Sequence, residues 1–402
     1  MKIGVIASTY PRFPGDGASR FVQSLSEALV CLEHQVHVLA PQHPQAVPMT
    51  YPVNVQRFRY IWPDSLAIMG YANAMESDQA LRKLTYFLAG PFFLSGLLHF
   101  SQMAKKHQFD AIHAHWVIPN GPIAALVARR FHLPLLISLH GSDIFVARKN
   151  PVLRRIARWT FSQAGAITAC SPDLAEGALD IGATPDQVHL IPWGAEPDQF
   201  QNPQGVEALR QRWNLPKHKQ VILSLGRLVK KKGVEYLVRA APLILETCPN
   251  TQIVIVGNGP ERTSLQKLAA ELKVADDILF IGELHWKEVP AALQLCDIFT
   301  VPSIHDENGN VDGLPTTILE AMASGKPVVG SNVAGIPLVV TSEQTGLLVA
   351  EANAFELAHA LIDLLQSEPK RIRLGQEGQL RVVQEFNWIE VAKKFERLFL
   401  PS

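Results

Sequence analysis

The sequence predicts an α/β protein built from two doubly wound parallel-sheet domains in tandem, and three observations lead there. Short β-branched runs alternate with longer segments of helical periodicity from one end of the chain to the other. The alternation is interrupted at Ile191-Pro192-Trp193-Gly194-Ala195-Glu196-Pro197 and then restarts. The chain has 402 residues, too many for one ordinary α/β domain and about right for two.

In the first half the strand candidates are Lys2–Ala7, Gln35–Ala40, Ala111–His115, Leu135–Leu139, Ala166–Ala169 and Val188–Ile191. Helical spacing fills the gaps at Ser19–Leu32, Ala80–Lys106, Ile123–Phe131, Val152–Gln163 and Asp173–Ile181. Such alternation implies parallel strands joined by right-handed crossovers. A second sheet is expected from Val221–Leu225, Thr251–Val256, Ile278–Ile281, Ile298–Val301, Pro327–Val329 and Gly346–Val349. The last segment, Trp388–Leu398, has helical spacing and is expected to pack back on the first domain. The boundaries that follow are 1–194, 195–384 and a closing helix in 385–402. Ligands of such sheets bind at the carboxyl ends of the strands, so a deep cleft between the domains is the expected site.

Composition narrows the partners. Hydrophobic residues make up 47 % and charged residues 18 %, which suits large buried sheets rather than disorder. Lys plus Arg equals Asp plus Glu, 37 against 37, so charge gives no reason to expect nucleic acid. Residues 1–190 carry 16 basic and 12 acidic side chains, a net of +4 that leaves −4 for the remainder. That excess suits an anionic acceptor or membrane surface, or is ordinary surface scatter. The four cysteines, Cys31, Cys170, Cys248 and Cys296, form no CxxC pair, as expected for reduced cytosolic thiols. The apolar run Ile3–Ala7 is too short for a signal peptide.

Leu84–Ala104 contains no Asp, Glu, Lys or Arg. Gly90-Pro91 interrupts it, its strongly apolar part falls short of the roughly 20 residues a span requires, and the strands around it belong to one sheet. The expectation is a core helix, with a surface touching lipid or an apolar acceptor as the alternative.

Three glycine-bearing motifs carry the chemistry of the second half. Gly226-Arg227-Leu228-Val229-Lys230-Lys231-Lys232-Gly233 follows a strand directly. Gly226 permits close backbone approach, Arg227 can grip phosphate oxygens with its fork, and Lys232 can act as a point charge. In Asp312-Gly313-Leu314-Pro315-Thr316-Thr317-Ile318-Leu319-Glu320, proline suits a helix start. The amides of Leu314, Thr316 and Thr317 then face outward toward a phosphate, and Glu320 lies one turn beyond Thr316 on the same face, within reach of ribose hydroxyls. Read alone, Glu320 is an ordinary helix carboxylate. Gly257-Asn258-Gly259 forms a strand–turn–helix junction suited to a base or phosphate, but lacks the third glycine of a nicotinamide-nucleotide fingerprint.

In the first half, His140-Gly141-Ser142-Asp143 follows a strand and sets a histidine and an acid at the expected cleft edge. The loop Tyr10–Arg20, with Gly15 and Gly17, reaches toward the same place. His113 and His115 share one face of a strand; without a third ligand nearby they make no convincing metal site.

Together these residues resemble glycosyltransferase family 4, retaining enzymes of the GT-B fold with two Rossmann-like domains. The likeness runs nearly end to end and is most specific where Gly226–Gly233 combines with Asp312–Glu320. It implies that Arg227 and Lys232 neutralise a departing diphosphate, that Glu320 holds the ribose and that His140 sits beside the transferred sugar. It further implies a UDP- or GDP-linked sugar donor, no metal cofactor, a glycan or lipid-linked acceptor, and retention by same-face substitution in which the leaving phosphate helps deprotonate the acceptor. A cytoplasmic enzyme, peripheral to the membrane's inner face and serving polysaccharide synthesis, is the corresponding expectation. A sugar-nucleotide epimerase or hydrolase of the same fold, or a catalytically silent nucleotide-binding scaffold, are the alternatives. Two departures stand out. Asp312 occupies the place of the family's first glutamate, with a longer preceding loop, Ser303–Val311, that brings Asp306 and Glu307 near as partial substitutes, and Leu338 follows Gly335-Ile336-Pro337 where the family often has an acid.

Overall fold

The computed structural model describes residues 1–48, 52–71, 75–77 and 80–399. They form two compact units, Met1–Ile191 together with the helix Trp388–Phe399, and Pro192–Asn387.

The N-terminal unit is built on β1 (Lys2–Ile6), β2 (Gln35–Pro41), β3 (Asn54–Phe58), β4 (Ala111–His115), β5 (Leu135–Ser138), β6 (Ala166–Ala169) and β7 (Val188–Leu190). Their order is β3-β2-β1-β4-β5-β6-β7, with every pairing parallel. The central strands are apolar throughout because helices cover both faces; Ile3, Val38, Ile112 and Ile137 are fully buried. The chain winds outward in opposite directions from β1 and β4, so the crevice at their carboxyl ends is the switch point.

Local chemistry starts the helices. Asn150 accepts hydrogen bonds from Val152 N and Leu153 N, with Pro151 at the first helical position of Pro151–Phe161. Ser171 does the same for Pro172–Ile181. The closing helix Trp388–Phe399 buries Val391, Ala392, Phe395 and Phe399. His34 Nε2 meets Glu396 Oε1 at 2.9 Å, which fixes that helix beside the end of Arg20–Cys31.

The C-terminal unit has β8 (Gln220–Leu225), β9 (Thr251–Val256), β10 (Ile278–Gly282), β11 (Ile298–Val301), β12 (Val328–Ser331) and β13 (Leu347–Val349). Their parallel order is β10-β9-β8-β11-β12-β13, which places the switch point between β8 and β11. Ile222, Ile253 and Ile298 pack with Val238, Leu361 and Leu364 into one core.

One strand escapes the sequence pattern and three expectations are corrected. β3 carries Asn54, Gln56 and Arg57 and pairs on one side only, so its half-polar pattern hid an edge strand. The helix expected at Ala80–Lys106 begins at Lys83, after a two-stranded hairpin of Met75–Ser77 and Ala80–Leu81, and ends at His107. Gly90-Pro91 does not interrupt it. Pro91 and Phe87, the residue four back whose carbonyl loses its helical donor, are both exposed. Nor is it simply a core helix, because 28 % of its most apolar 18-residue stretch is buried and Phe87 and Leu94 stand out from the surface.

Candidate functional site

In the C-terminal unit the loops leaving β8, β9 and β11 are bonded to one another. Gly226 N donates to Val256 O at 3.0 Å and Leu228 N to Asn258 O at 2.8 Å. Gly257 adopts φ +137°, and a Cβ there would lie 1.8 Å from Gly226 O, so the first two glycine motifs fit back to back only without a side chain. Gly233, at φ +61°, bears the same relation to Pro302 O at the end of β11. Ile304 N donates to Lys231 O at 3.0 Å and completes the junction.

This framework collects charge. Lys230–Lys232 form one 3-10 turn, and a Cβ on Gly226 would lie 3.8 Å from Lys232 Nζ, so the ammonium sits over the glycine. Lys232 Nζ donates to Asp312 Oδ2 across 80 positions of sequence. Burial pushes the Asp312 carboxyl up, but Lys232, Lys231 and Arg227 outweigh it and hold the group below the usual carboxylate range. Arg227 is exposed beside them. The helix expected from Pro315 is Thr316–Ala323, with Pro315 as its N-cap rather than its first residue. Thr317 Oγ1 is buried at that N-terminus with no hydrogen-bond partner among the described residues. Gly313 O accepts from Gly335 N at 2.7 Å, which anchors the approach of Leu314. Glu320 follows one turn into the helix, half-buried.

The two acids of the longer loop are occupied elsewhere. Asp306 Oδ1 accepts from Asn308 N at 2.9 Å and Asn310 N at 3.0 Å, which folds the loop on itself. Glu307 is exposed and pairs with Lys230 at 3.1 Å.

In the N-terminal unit the structure gathers His140, His115 and His113. His115 Nδ1 lies 3.1 Å from His140 Nε2. The His113 and His115 rings stand 4.1 Å apart, on one face of β4 as expected. His113 Nε2 bonds Ser138 Oγ at 2.7 Å, and Ser138 Oγ bonds Thr168 Oγ1 at 2.7 Å. Burial depresses all three imidazoles, His115 to about 3, so the cluster is neutral.

Asp143 is not an acid presented at an edge. It is buried, and its carboxylate accepts from Val117 N at 2.9 Å, Gly141 N at 3.0 Å and His140 N at 3.2 Å. It orders the turn that carries His140; burial raises its carboxyl to about 6 against those bonds. The turn leads into a short helix, Ser142–Lys149. In the loop after β1, Asp16 grips Arg12 at 2.6 Å and is pulled to about 2 despite burial. Gly15 needs its positive φ of 87°, whereas a Cβ on Gly17 would meet nothing within 4 Å. Sequence reasoning missed Trp116, a non-glycine residue at φ +66° whose ring lies 4.3 Å from that of His140. Strained backbone of this kind concentrates at functional sites, but nothing in its sequence context signals it. Among the described residues, no group of three or more His, Cys, Asp or Glu is arranged to hold a metal ion.

Two Rossmann-like parallel-sheet units in one chain fit the GT-B fold, and the likeness to a solved structure supports it. HepE of Anabaena, crystallised with UDP, superposes with a TM-score of 0.73 at 18 % identity, over 99 % of each chain. Residues 205–381 match the family model of glycosyl transferases group 1, and residues 16–194 match a glycosyl transferase 4-like domain. A GDP-mannose-dependent phosphatidylinositol monomannoside mannosyltransferase of Mycobacterium tuberculosis is 30 % identical over 73 % of this chain and 76 % of its own. The N-acetyl-alpha-D-glucosaminyl L-malate synthase of Bacillus anthracis is 22 % identical over 99 % of this chain and 97 % of its own. The chain belongs to the group 1 glycosyl transferases and is a glycosyltransferase enzyme.

Proposed function

We propose that the enzyme takes a sugar from a UDP- or GDP-linked donor and passes it, with retention, to a glycan or lipid-linked acceptor on the cytoplasmic side of the membrane. The observation that carries the donor assignment is the Lys232 ammonium over Gly226, paired with Asp312 at the switch point of the C-terminal sheet. Arg227 and Lys231 lie close enough to shift the same carboxylate. A diphosphate arriving there meets three cations and the amides of Leu314, Thr316 and Thr317, so negative charge developing on the leaving group is stabilised by fixed groups. In this reading these groups take the role that a metal cofactor would otherwise play. The buried, unpartnered Thr317 hydroxyl supplies one more donor at that helix terminus.

Glu320 accepts from ribose hydroxyls in this reading, and the turn Gly257-Asn258-Gly259 borders the nucleotide. His140, neutral and hydrogen-bonded to His115, is suited to bond a hydroxyl of the transferred sugar. The acceptor oxygen bonds to the anomeric carbon on the face from which the phosphate oxygen leaves. The departing phosphate oxygen takes the acceptor's proton, so no protein nucleophile is required. HepE's complex with UDP and the relative's dependence on GDP-mannose support a nucleoside diphosphate donor of either base.

A thermal-shift screen of the purified chain against UDP, GDP, ADP, their sugar conjugates and NAD tests this. A ligand that binds the folded state raises the midpoint with its concentration. The expected result is a shift with UDP or GDP that Lys232→Ala removes. No shift with any nucleoside diphosphate, or one unaffected by that substitution, overturns the donor assignment. Consumption of a bound sugar nucleotide without any acceptor would replace transfer by epimerisation or hydrolysis.

A further inference from the structure

Helix Lys83–His107 is apolar on two opposite sides. Thr85, Leu88, Phe92, Gly96, Phe100 and Met103 are buried within the N-terminal unit. At 100° per residue, Phe87, Leu94, Leu98 and Lys105 fall on the other side in a single stripe. Phe87 is 79 % exposed, Leu94 67 % and Leu98 56 %. Isolated exposed apolar side chains need no explanation, but a stripe of them along one helix does. Beside it lies a groove of about 590 Å³ against the helix Asn120–Phe131, lined by Leu94, Leu97, Leu98, Lys105, Leu126 and Arg130.

Charge decides what covers this face. Neither helix contains Asp or Glu, while Lys83, Lys105, Lys106, Arg129 and Arg130 are all exposed. Lys83 stands at one end of the stripe, and Lys105 and Lys106 at the other. A second copy of the chain laid on it in either direction would set cation against cation. A bilayer of anionic phospholipid meets both features, with headgroup phosphates at the two basic ends and acyl chains receiving the apolar side chains between them. The helix cannot cross that bilayer, since its opposite side belongs to the fold.

We infer that the outer face of Lys83–His107, with its groove against Asn120–Phe131, seats the enzyme on an anionic membrane surface. The helix lies in the plane of the interface, Phe87, Leu94 and Leu98 enter the acyl boundary, and Lys105 and Arg130 hold phosphates. The surface belongs to the N-terminal unit and the donor cluster to the C-terminal one, so the seat does not depend on which sugar is transferred.

Cosedimentation of the full chain with vesicles tests this without any turnover assay. The vesicles are phosphatidylcholine alone, or with about one-third phosphatidylglycerol, at low and high salt. The expected result is binding to the anionic vesicles that weakens with salt. Phe87→Ser/Leu94→Ser/Leu98→Ser should lower the partition coefficient about tenfold or more, and Lys105→Glu/Arg130→Glu should do so on anionic vesicles alone. Thermal midpoints measured alongside confirm that the variants are folded, and the three apolar positions are more than half exposed. Wild-type protein left in the supernatant at low salt overturns the inference, as does a triple variant that binds like wild type. A wild-type dimer that the triple substitution converts to monomer, with no vesicle binding, overturns it in favour of self-association.

Discussion

His115 Nδ1 and His140 Nε2 lie 3.1 Å apart, and burial keeps both rings neutral. Two neutral imidazoles share one N–H in such a bond, so the tautomer of His115 sets which nitrogen of His140 can donate. His115 is held by His113 at 4.1 Å ring separation, and His113 by Ser138. His115 is thus a positioning residue for His140. His115→Phe keeps the ring and removes the bond. It should lower kcat about tenfold, leaving the KM for donor and the thermal midpoint nearly unchanged. Parallel losses in midpoint and activity would mean that His115 serves packing alone.

The same cluster makes the N-terminal unit sensitive to acid. His113, His115 and His140 have folded-state values depressed below the ordinary 6.5. Below that pH the unfolded chain takes up protons that the folded chain does not, so stability is present above about 6.5 and is lost as pH falls toward the folded values. Each histidine contributes a slope of up to about 1.4 kcal/mol per pH unit. Asp143, raised to about 6, works in the opposite sense, because its protonation favours the folded state as pH falls toward its unfolded value near 3.8, and offsets about one histidine. Urea unfolding between pH 7 and pH 4.5 should therefore show a falling midpoint, with His115→Phe reducing the slope. A flat profile would count against neutral buried imidazoles.

Lys232→Ala removes the cation that lies over Gly226 and leaves Asp312 with Lys231 and Arg227. Loss of one fixed donor to a developing anion costs about 10²–10³ in kcat, and the donor KM should rise with it. Asp312→Glu, which restores the length usual in the family, should keep the pairing and stay within about threefold of wild type. Asp312→Asn should fall well below both. Steady-state kinetics on the three variants reads this directly, and an Asp312→Asn enzyme at wild-type rate would remove Asp312 from the site.

What the sequence discloses depends on how local the cause is. β9 and β11 were readable because strands buried on both faces are continuous apolar runs, and both end where expected. β3 was not, since an edge strand with Arg57 and Gln56 has the composition of a loop. Lys83–His107 is readable as a helix, with an exposed apolar surface only as the alternative to a core helix, because periodicity cannot tell an apolar face that meets a sheet from one that stays on the surface. The site divides the same way. Gly226, Gly257 and Lys232 stand in motifs whose spacing carries their role. The pairing of Lys232 with Asp312, the capture of Asp306 by its own loop and the burial of Asp143 are contacts between segments that only the folded chain brings together.

Gly257 offers a test of the framework rather than of the charges. Its φ of +137° is open to glycine alone, and an added Cβ would lie 1.8 Å from Gly226 O, a backbone atom that cannot rotate aside. Gly257→Ala must push apart the loops after β8 and β9, and with them the hydrogen bond from Leu228 N to Asn258 O. The strain is about 1–3 kcal/mol from the backbone conformation alone, and the collision adds to it. The core of the unit lies below these loops, so the variant should still fold, with a midpoint lowered by several degrees. Its affinity for nucleoside diphosphate should fall more than Lys232→Ala alone would cause, because Gly226, Lys232 and Asn258 all move together. Gly90→Ala is the matched control, since a Cβ there meets nothing within 4 Å and the position is outside the candidate site. Equal behaviour of the two variants in calorimetric titration would show that the contact between the glycine loops does not set the donor site.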